Sequence, residues 1–221
     1  MIRRDIEEVI LKSAETIPVI CITGPRQSGK TTLYTTVSNS LGVDVKTIRA
    51  WLSILETSYI VFMQPPWFRN VNKRLIKSPR LFFYDTGLAC NLLGVHNKNS
   101  YFSHYLRGSL FESFIISELH KFIFNHKING KVYFFRDSNG NEVDALLELP
   151  EGLKAIEIKA GKTIIPDFFK GLQYWNKITG LISSENYLVY GGNEYQKRSA
   201  VTVLGWKHLQ TIFGKRNEGQ Q

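Results

Sequence analysis

Lys131-Val-Tyr-Phe-Phe-Arg136, Glu142-Val-Asp-Ala-Leu-Leu-Glu-Leu149 and Leu153-Lys-Ala-Ile-Glu-Ile-Lys-Ala160 are three β-prone runs, separated by the turn-forming segments Asp137-Ser-Asn-Gly-Asn141 and Pro150-Glu-Gly152. Such turns join successive strands as hairpins. A two-residue loop at Pro150-Glu151 pairs Leu149 with Gly152, and the constant index sum of a hairpin then sets Asp144 opposite Glu157. Their side chains would share one face, about 5 Å apart. A three-residue loop would break that register. Glu157 and Lys159, two residues apart on a strand, also lie on one face.

Adjacent carboxylates repel one another unless a cation sits between them, and Mg²⁺ with oxygen ligands and water is the natural occupant. Asp144 and Glu157, with Glu112 from the helix upstream, are therefore candidate metal ligands. A magnesium-bound water could attack a phosphodiester, with Lys159 orienting it or stabilising the developing charge. The candidate catalytic set is Asp144, Glu157, Lys159 and Glu112. The plain alternative for Ala155-Ile-Glu-Ile-Lys159 taken alone is a half-exposed strand with its charges in water.

Around these runs the pattern extends in both directions. Leu106, Leu110, Phe111, Phe114, Ile115, Leu119 and Phe122 mark an amphipathic helix before them. A helix over 166–179 and strands over 186–190 and 200–204 follow. Residues 101–221 are thus expected to form an α-β-β-β-α-β domain, within a chain of α/β (α+β) class.

The 221 residues carry a formal net charge of +9. Residues 62–100 hold 6 basic groups and 1 acidic one. There Arg69, Lys73, Arg74, Lys77 and Arg80 alternate with Trp67, Phe68, Phe82, Phe83 and Tyr84, a pattern suited to phosphates and bases. A solvated basic hairpin with inward aromatics is the alternative. Upstream, a helix ending at Leu41, a turn at Gly42 and a helix capped by Asp44 read as a helix-turn-helix. Ile48, Trp51, Leu52 and Leu55 would face inward, leaving Lys46, Thr47, Arg49 and Ser53 outside to read DNA. With wing strands over 59–65 and 74–83, residues 37–100 are expected to form a winged helix.

Gly24-Pro-Arg-Gln-Ser-Gly-Lys-Thr31 fits the P-loop pattern, between an apolar strand-like run (Pro18–Thr23) and a helical one. Backbone amides around Gly24 and Gly29 would cradle phosphates, Lys30 would reach the β/γ-phosphates and Thr31 would bind magnesium. Hydrolysis needs a further acidic strand. Leu81-Phe-Phe-Tyr-Asp85 is the nearest match, and it continues into Thr86-Gly87. Residues 1–36 therefore read as a P-loop fragment from which ATP hydrolysis is not expected.

Taken together, these segments resemble the prokaryotic AAA-type ATPases that carry a C-terminal domain of unknown function related to PD-(D/E)XK nucleases. The resemblance rests on Arg3-Arg-Asp-Ile6 with the P-loop, on 42–62, 73–94, 107–119, 134–148 and 156–172, and covers nearly the whole chain. It implies ATP binding at Lys30 and Thr31, and a nuclease-type constellation at Glu112, Asp144, Glu157 and Lys159. Members have well over a hundred residues between P-loop and helix-turn-helix, where this chain passes directly from one to the other, as after an internal deletion. The expected partners are DNA and either a second copy or a full-length relative.

Composition excludes other classes. A 43% hydrophobic and 21% charged chain is not wholly disordered. No apolar run approaches the roughly 18 residues a membrane span requires. The N-terminus lacks a secretory pattern, and Cys21 and Cys90 form no disulfide framework. A cytoplasmic location is expected.

Overall fold

The computed structural model describes residues 38–67, 79–180, 185–198 and 200–214. A helical turn at 38–41 leads through Gly42, whose φ of +65° suits glycine, to α1 (Val45–Thr57). Asp44 caps α1, its carboxylate accepting from Lys46 N at 2.9 Å. The antiparallel strands β1 (Val61–Gln64) and β2 (Arg80–Phe83) follow. Helices α2 (Thr86–Leu92) and α3 (Lys98–Ser103) then lead to the long α4 (Arg107–Asn125).

Beyond α4 lies a six-stranded mixed sheet. β3 (Lys131–Arg136), β4 (Glu142–Leu149) and β5 (Gly152–Lys159) form an antiparallel meander. A 3-10 turn at Pro166–Phe169 and α5 (Lys170–Thr179) cross over to β6 (Asn186–Tyr190), which lies parallel to β5. β7 (Tyr195–Lys197) and β8 (Thr202–Gly205) complete the order β3-β4-β5-β6-β8-β7. A 3-10 segment, Trp206–Phe213, closes the described fold. The α-β-β-β-α-β order read over 101–221 is present. The short edge strand β7 and the last 3-10 segment were not anticipated.

Period-two alternation divides the sheet between two cores. Ala145, Leu147, Ile156 and Ile158 face Ile115, Ile116 and Leu119 of α4. Leu146, Ala155, Leu188 and Val203 face Leu172 and Trp175 of α5. The small β1–β2 sheet is wedged between this body and a third core. Val61 and Phe83 pack with Ala89, Val95 and Leu110, while Phe62 and Phe82 enter the α4 core. In α1 only Ile48 is fully buried, with Leu52 and Leu55 partly covered. Trp51, expected inside, is 48% exposed because the inward stripe of this helix is narrower than its apolar content. Lys46 and Arg49 are exposed.

Gly24, Gly29, Lys30 and Thr31 of the P-loop, and Arg69, Lys73, Arg74 and Lys77 of the basic stretch, lie outside the described residues. Among the described residues no helix is long and apolar enough to cross a membrane.

Candidate functional site

The two-residue turn between β4 and β5 pairs Leu149 with Gly152, as the sequence predicts, and the ladder runs on to Ala145 opposite Ile156. On the other side of β4 the register slips. Tyr133 faces Leu146 but Phe135 faces Val143, so Asp144 and Ala145 stand against the single residue Phe134. This β-bulge re-aims the chain at Asp144, one of the candidate residues. Past the end of the ladder, the Asp144 carboxylate accepts from Ile158 N at 2.8 Å, replacing a main-chain partner.

Bulges leave carbonyls unpaired, and this one is satisfied from a distance. The side-chain amide of Gln64, fully buried at the end of β1, donates to Tyr133 O at 2.8 Å and to Asp144 O at 3.2 Å. The next residues lie along the free edge of β3. Phe134 N donates to Pro65 O at 3.1 Å, and Trp67 N donates to Phe134 O at 2.8 Å. An edge that would otherwise expose its donors and acceptors is covered.

The structure brings Asp144, Glu157 and Lys159 together. Asp144 and Glu157 are 3% and 4% exposed. The Lys159 ammonium lies 2.5 Å from Glu157 Oε1 and 3.6 Å from Asp144 Oδ2. Glu157 Oε2 is buried without a hydrogen-bond partner. It rests against Gly171 of α5, where a Cβ would come within 2.5 Å of both Glu157 Oε2 and Glu142 O. Burial, then the charge of Asp144, push the Glu157 carboxyl up to about 8 against the opposing pull of Lys159. Burial acts to lower the Lys159 pKa, but Asp144 and Glu157, with Glu112 behind them, hold it above its ordinary value.

Glu112 projects from α4 toward this group but is held by Arg80, whose Nη1 donates to Glu112 Oε1 at 2.9 Å. Arg80 Nη2 donates to Glu142 Oε2 at 3.0 Å, and Arg136 Nη1 lies 3.7 Å from the same oxygen. The Arg80 guanidinium also covers the Phe134 ring at 4.5 Å. Arg80, expected on a nucleic-acid-binding face, is therefore committed to two carboxylates beside the Lys159 cluster. Among the described residues no group of three His, Cys, Asp or Glu side chains converges on one metal position. Two carboxylates with one unsatisfied buried oxygen still suit a hard divalent cation, because Mg²⁺ commonly takes one or two carboxylates and completes its shell with water and substrate phosphate.

Sequence reasoning missed Gln64, Glu142 and Arg136. Glu142 carried a signal, standing two residues before Asp144 on the same strand. Gln64 carried none beyond being a polar residue that ends an apolar run before two prolines.

In sequence, residues 1–99 match a domain of unknown function, DUF8612, and residues 107–209 match a second, DUF4143. Over 127 residues the chain is 29% identical to uncharacterized proteins of Mycobacterium tuberculosis and Mycobacterium bovis. That match covers 58% of this chain and 28% of each relative, so the chain spans well under two thirds of the curated relatives it matches. No solved structure matches it.

Proposed function

We propose that the chain is a shortened relative of the AAA-type ATPases with a PD-(D/E)XK-like C-terminal domain, acting on DNA through a magnesium-dependent phosphodiesterase site at Asp144, Glu157 and Lys159. The observation that carries this reading is the pair of buried carboxylates on neighbouring strands, one with an unpartnered oxygen, bridged by a lysine two residues along the strand. Asp144 and Glu157 would hold the cation, which when bound supplies a Lewis acid and an activated water. The bulge fixes Asp144 against Ile158 N. The Lys159 ammonium has three N–H groups, of which two can serve the carboxylates and one a phosphate oxygen. Glu112, the fourth candidate, would contribute only on release from Arg80. Lys46 and Arg49 on α1, with the basic stretch that follows, would grip the DNA backbone from a winged-helix unit.

The test is incubation of plasmid and branched DNA with Mg²⁺ or Mn²⁺, comparing the wild type with Asp144→Asn and Lys159→Ala. Cleavage by the wild type alone supports the site, and equal behaviour of all three sinks it. ATP binding at Gly24, Gly29, Lys30 and Thr31 belongs to the same proposal. Labelled ATP retained equally by Lys30→Ala would reject it.

A second reading is favoured by one observation. The Lys159 ammonium lies within ion-pair distance of both acidic side chains, 2.5 Å from Glu157 Oε1 and 3.6 Å from Asp144 Oδ2, and so serves as their shared counter-ion. On that reading the cluster is an internal ionic lock in a non-catalytic module that binds nucleic acid or protein. Calorimetric titration separates the two, since Mg²⁺ heats that vanish in Asp144→Asn belong only to the first.

A further inference from the structure

At the carboxyl end of β5, one residue past Lys159, the chain meets the junction between α3 and α4. Arg107 Nη2 donates to Ala160 O at 3.2 Å and ties that junction to the rim of the acidic cluster. Two aromatic rings are exposed there. Phe102 is 47% exposed and Tyr105 is 85% exposed, the most of any large apolar side chain in the described core and surface. Cations lie over the first of them, with Lys162 Nζ 4.9 Å and Arg107 Cζ 5.8 Å from the Phe102 ring centre. His104 stacks on Tyr105 at 4.8 Å and 27°, which braces that ring and leaves its other face to solvent. The His104 ring is itself fixed by accepting from Leu106 N at 3.2 Å.

Exposed aromatic rings held in place by neighbours, with cations beside them, present π-faces for flat groups and positive charge for phosphates. A duplex hides the faces of its bases and offers only edges and backbone. An unpaired strand offers both faces and phosphates at the spacing of one nucleotide. We propose that Phe102, Tyr105, Arg107 and Lys162 form a stacking platform for unpaired nucleic acid, delivering a single strand to the carboxyl end of β5. The inference rests on the nucleic-acid reading above for where the strand leads, but it does not require cleavage.

The test is fluorescence anisotropy of the full chain with labelled 20-nucleotide oligo-dT and with a 20-base-pair duplex, in EDTA so that no metal chemistry intervenes. The wild type is expected to bind the single strand more tightly than the duplex. Tyr105→Ala and Phe102→Ala should each weaken oligo-dT binding about tenfold while leaving the duplex nearly unchanged. Lys162→Gln should lower the slope of log affinity against log salt by about 0.7. All three positions lie at the surface, so matching thermal melts establish that the variants fold. Failure of the wild type to bind oligo-dT, equal affinity for duplex, or unchanged binding in both aromatic variants would overturn the platform. Plasmid, branched DNA and oligo-dT all left intact in Mg²⁺ and Mn²⁺, alongside Tyr105-dependent oligo-dT binding, would remove the nuclease reading and leave the platform standing.

Discussion

The side-chain amide of Gln64 donates to the main-chain carbonyl of Asp144 at 3.2 Å, across 80 residues of sequence. The same nitrogen donates to Tyr133 O, so a single side chain from the small sheet satisfies both carbonyls that flank the bulge. Gln64→Leu keeps the volume and removes the donor, leaving two buried carbonyls without it. A loss of about 1–3 kcal/mol is expected in urea unfolding. Gln64→Glu should be worse, since a carboxylate would face the same oxygens. Variants as stable as the wild type would show that the bulge is held by other means.

Glu157 predicts a pH dependence whose sign is fixed. Its carboxyl titrates near 8 in the fold against an ordinary 4.5, so between those values the folded chain holds a proton that the unfolded chain has released. Stability from this group is therefore present below about pH 4.5 and declines as pH rises through 8. Glu157→Gln should flatten the decline. Denaturation midpoints between pH 5 and 9 measure it, and parallel curves for the two proteins would refute the assignment. Binding of a divalent cation at pH 7 should release about one proton, visible as a buffer-dependent heat.

His120 on α4 predicts the opposite slope. Its ring lies 4.5 Å from that of Phe62, and burial lowers its pKa from 6.5 to about 4. As pH falls below 6.5 the unfolded chain takes up a proton that the folded chain refuses, so stability is lost towards pH 4. His120→Gln should remove that part of the acid sensitivity, and unchanged acid unfolding would count against a neutral buried imidazole.

Gly171 gives a prediction that separates propensity from packing. Inside an exposed helix, glycine to alanine gains about 1 kcal/mol. Here the new Cβ would collide with Glu142 O and Glu157 Oε2, and backbone cannot give way cheaply. Gly171→Ala is expected to destabilise by about 1–3 kcal/mol and to disturb the Lys159 cluster. A gain in stability would mean that α5 can shift outward at no cost.

Arg80→Met should free Glu112 and Glu142 from their shared guanidinium, leaving carboxylates about one-sixth exposed without that counter-ion. A loss of about 1–3 kcal/mol is expected. If Glu112 is a reserve metal ligand, the variant should also bind Mn²⁺ more tightly than the wild type by calorimetry. Weaker or unchanged binding would confine Glu112 to a structural role.

The parts of this fold governed by local chemistry were legible in the sequence. The Pro150-Glu151 turn set the β4–β5 register, and the apolar spacing from Leu110 to Leu119 marked the buried face of α4. Asp44 and Gly42 marked the turn before α1. The rest depends on partners far apart in the chain. Asp144 and Glu157 were placed opposite each other by a regular ladder, yet a bulge against β3 intervenes, and its anchor lies in β1. Arg80 looked like one more basic residue in a basic stretch, because its two carboxylates lie 32 and 62 residues away. Trp51 fell on an expected apolar stripe and is exposed, since spacing marks a face without specifying how much of it is covered.

The strip Gln64-Pro-Pro-Trp67 runs along β3 as though it belonged to the downstream sheet, although it lies within the upstream sequence match. A boundary drawn between residues 99 and 107 separates two recurring stretches of sequence but cuts across one physical unit. Residues 107–209 expressed alone would lack the Gln64 amide at the Tyr133 and Asp144 carbonyls and the main-chain partners of Phe134, and would tend to self-associate along that edge. Any recombination that moves the downstream segment into another protein must carry this strip with it, or supply another that does its work.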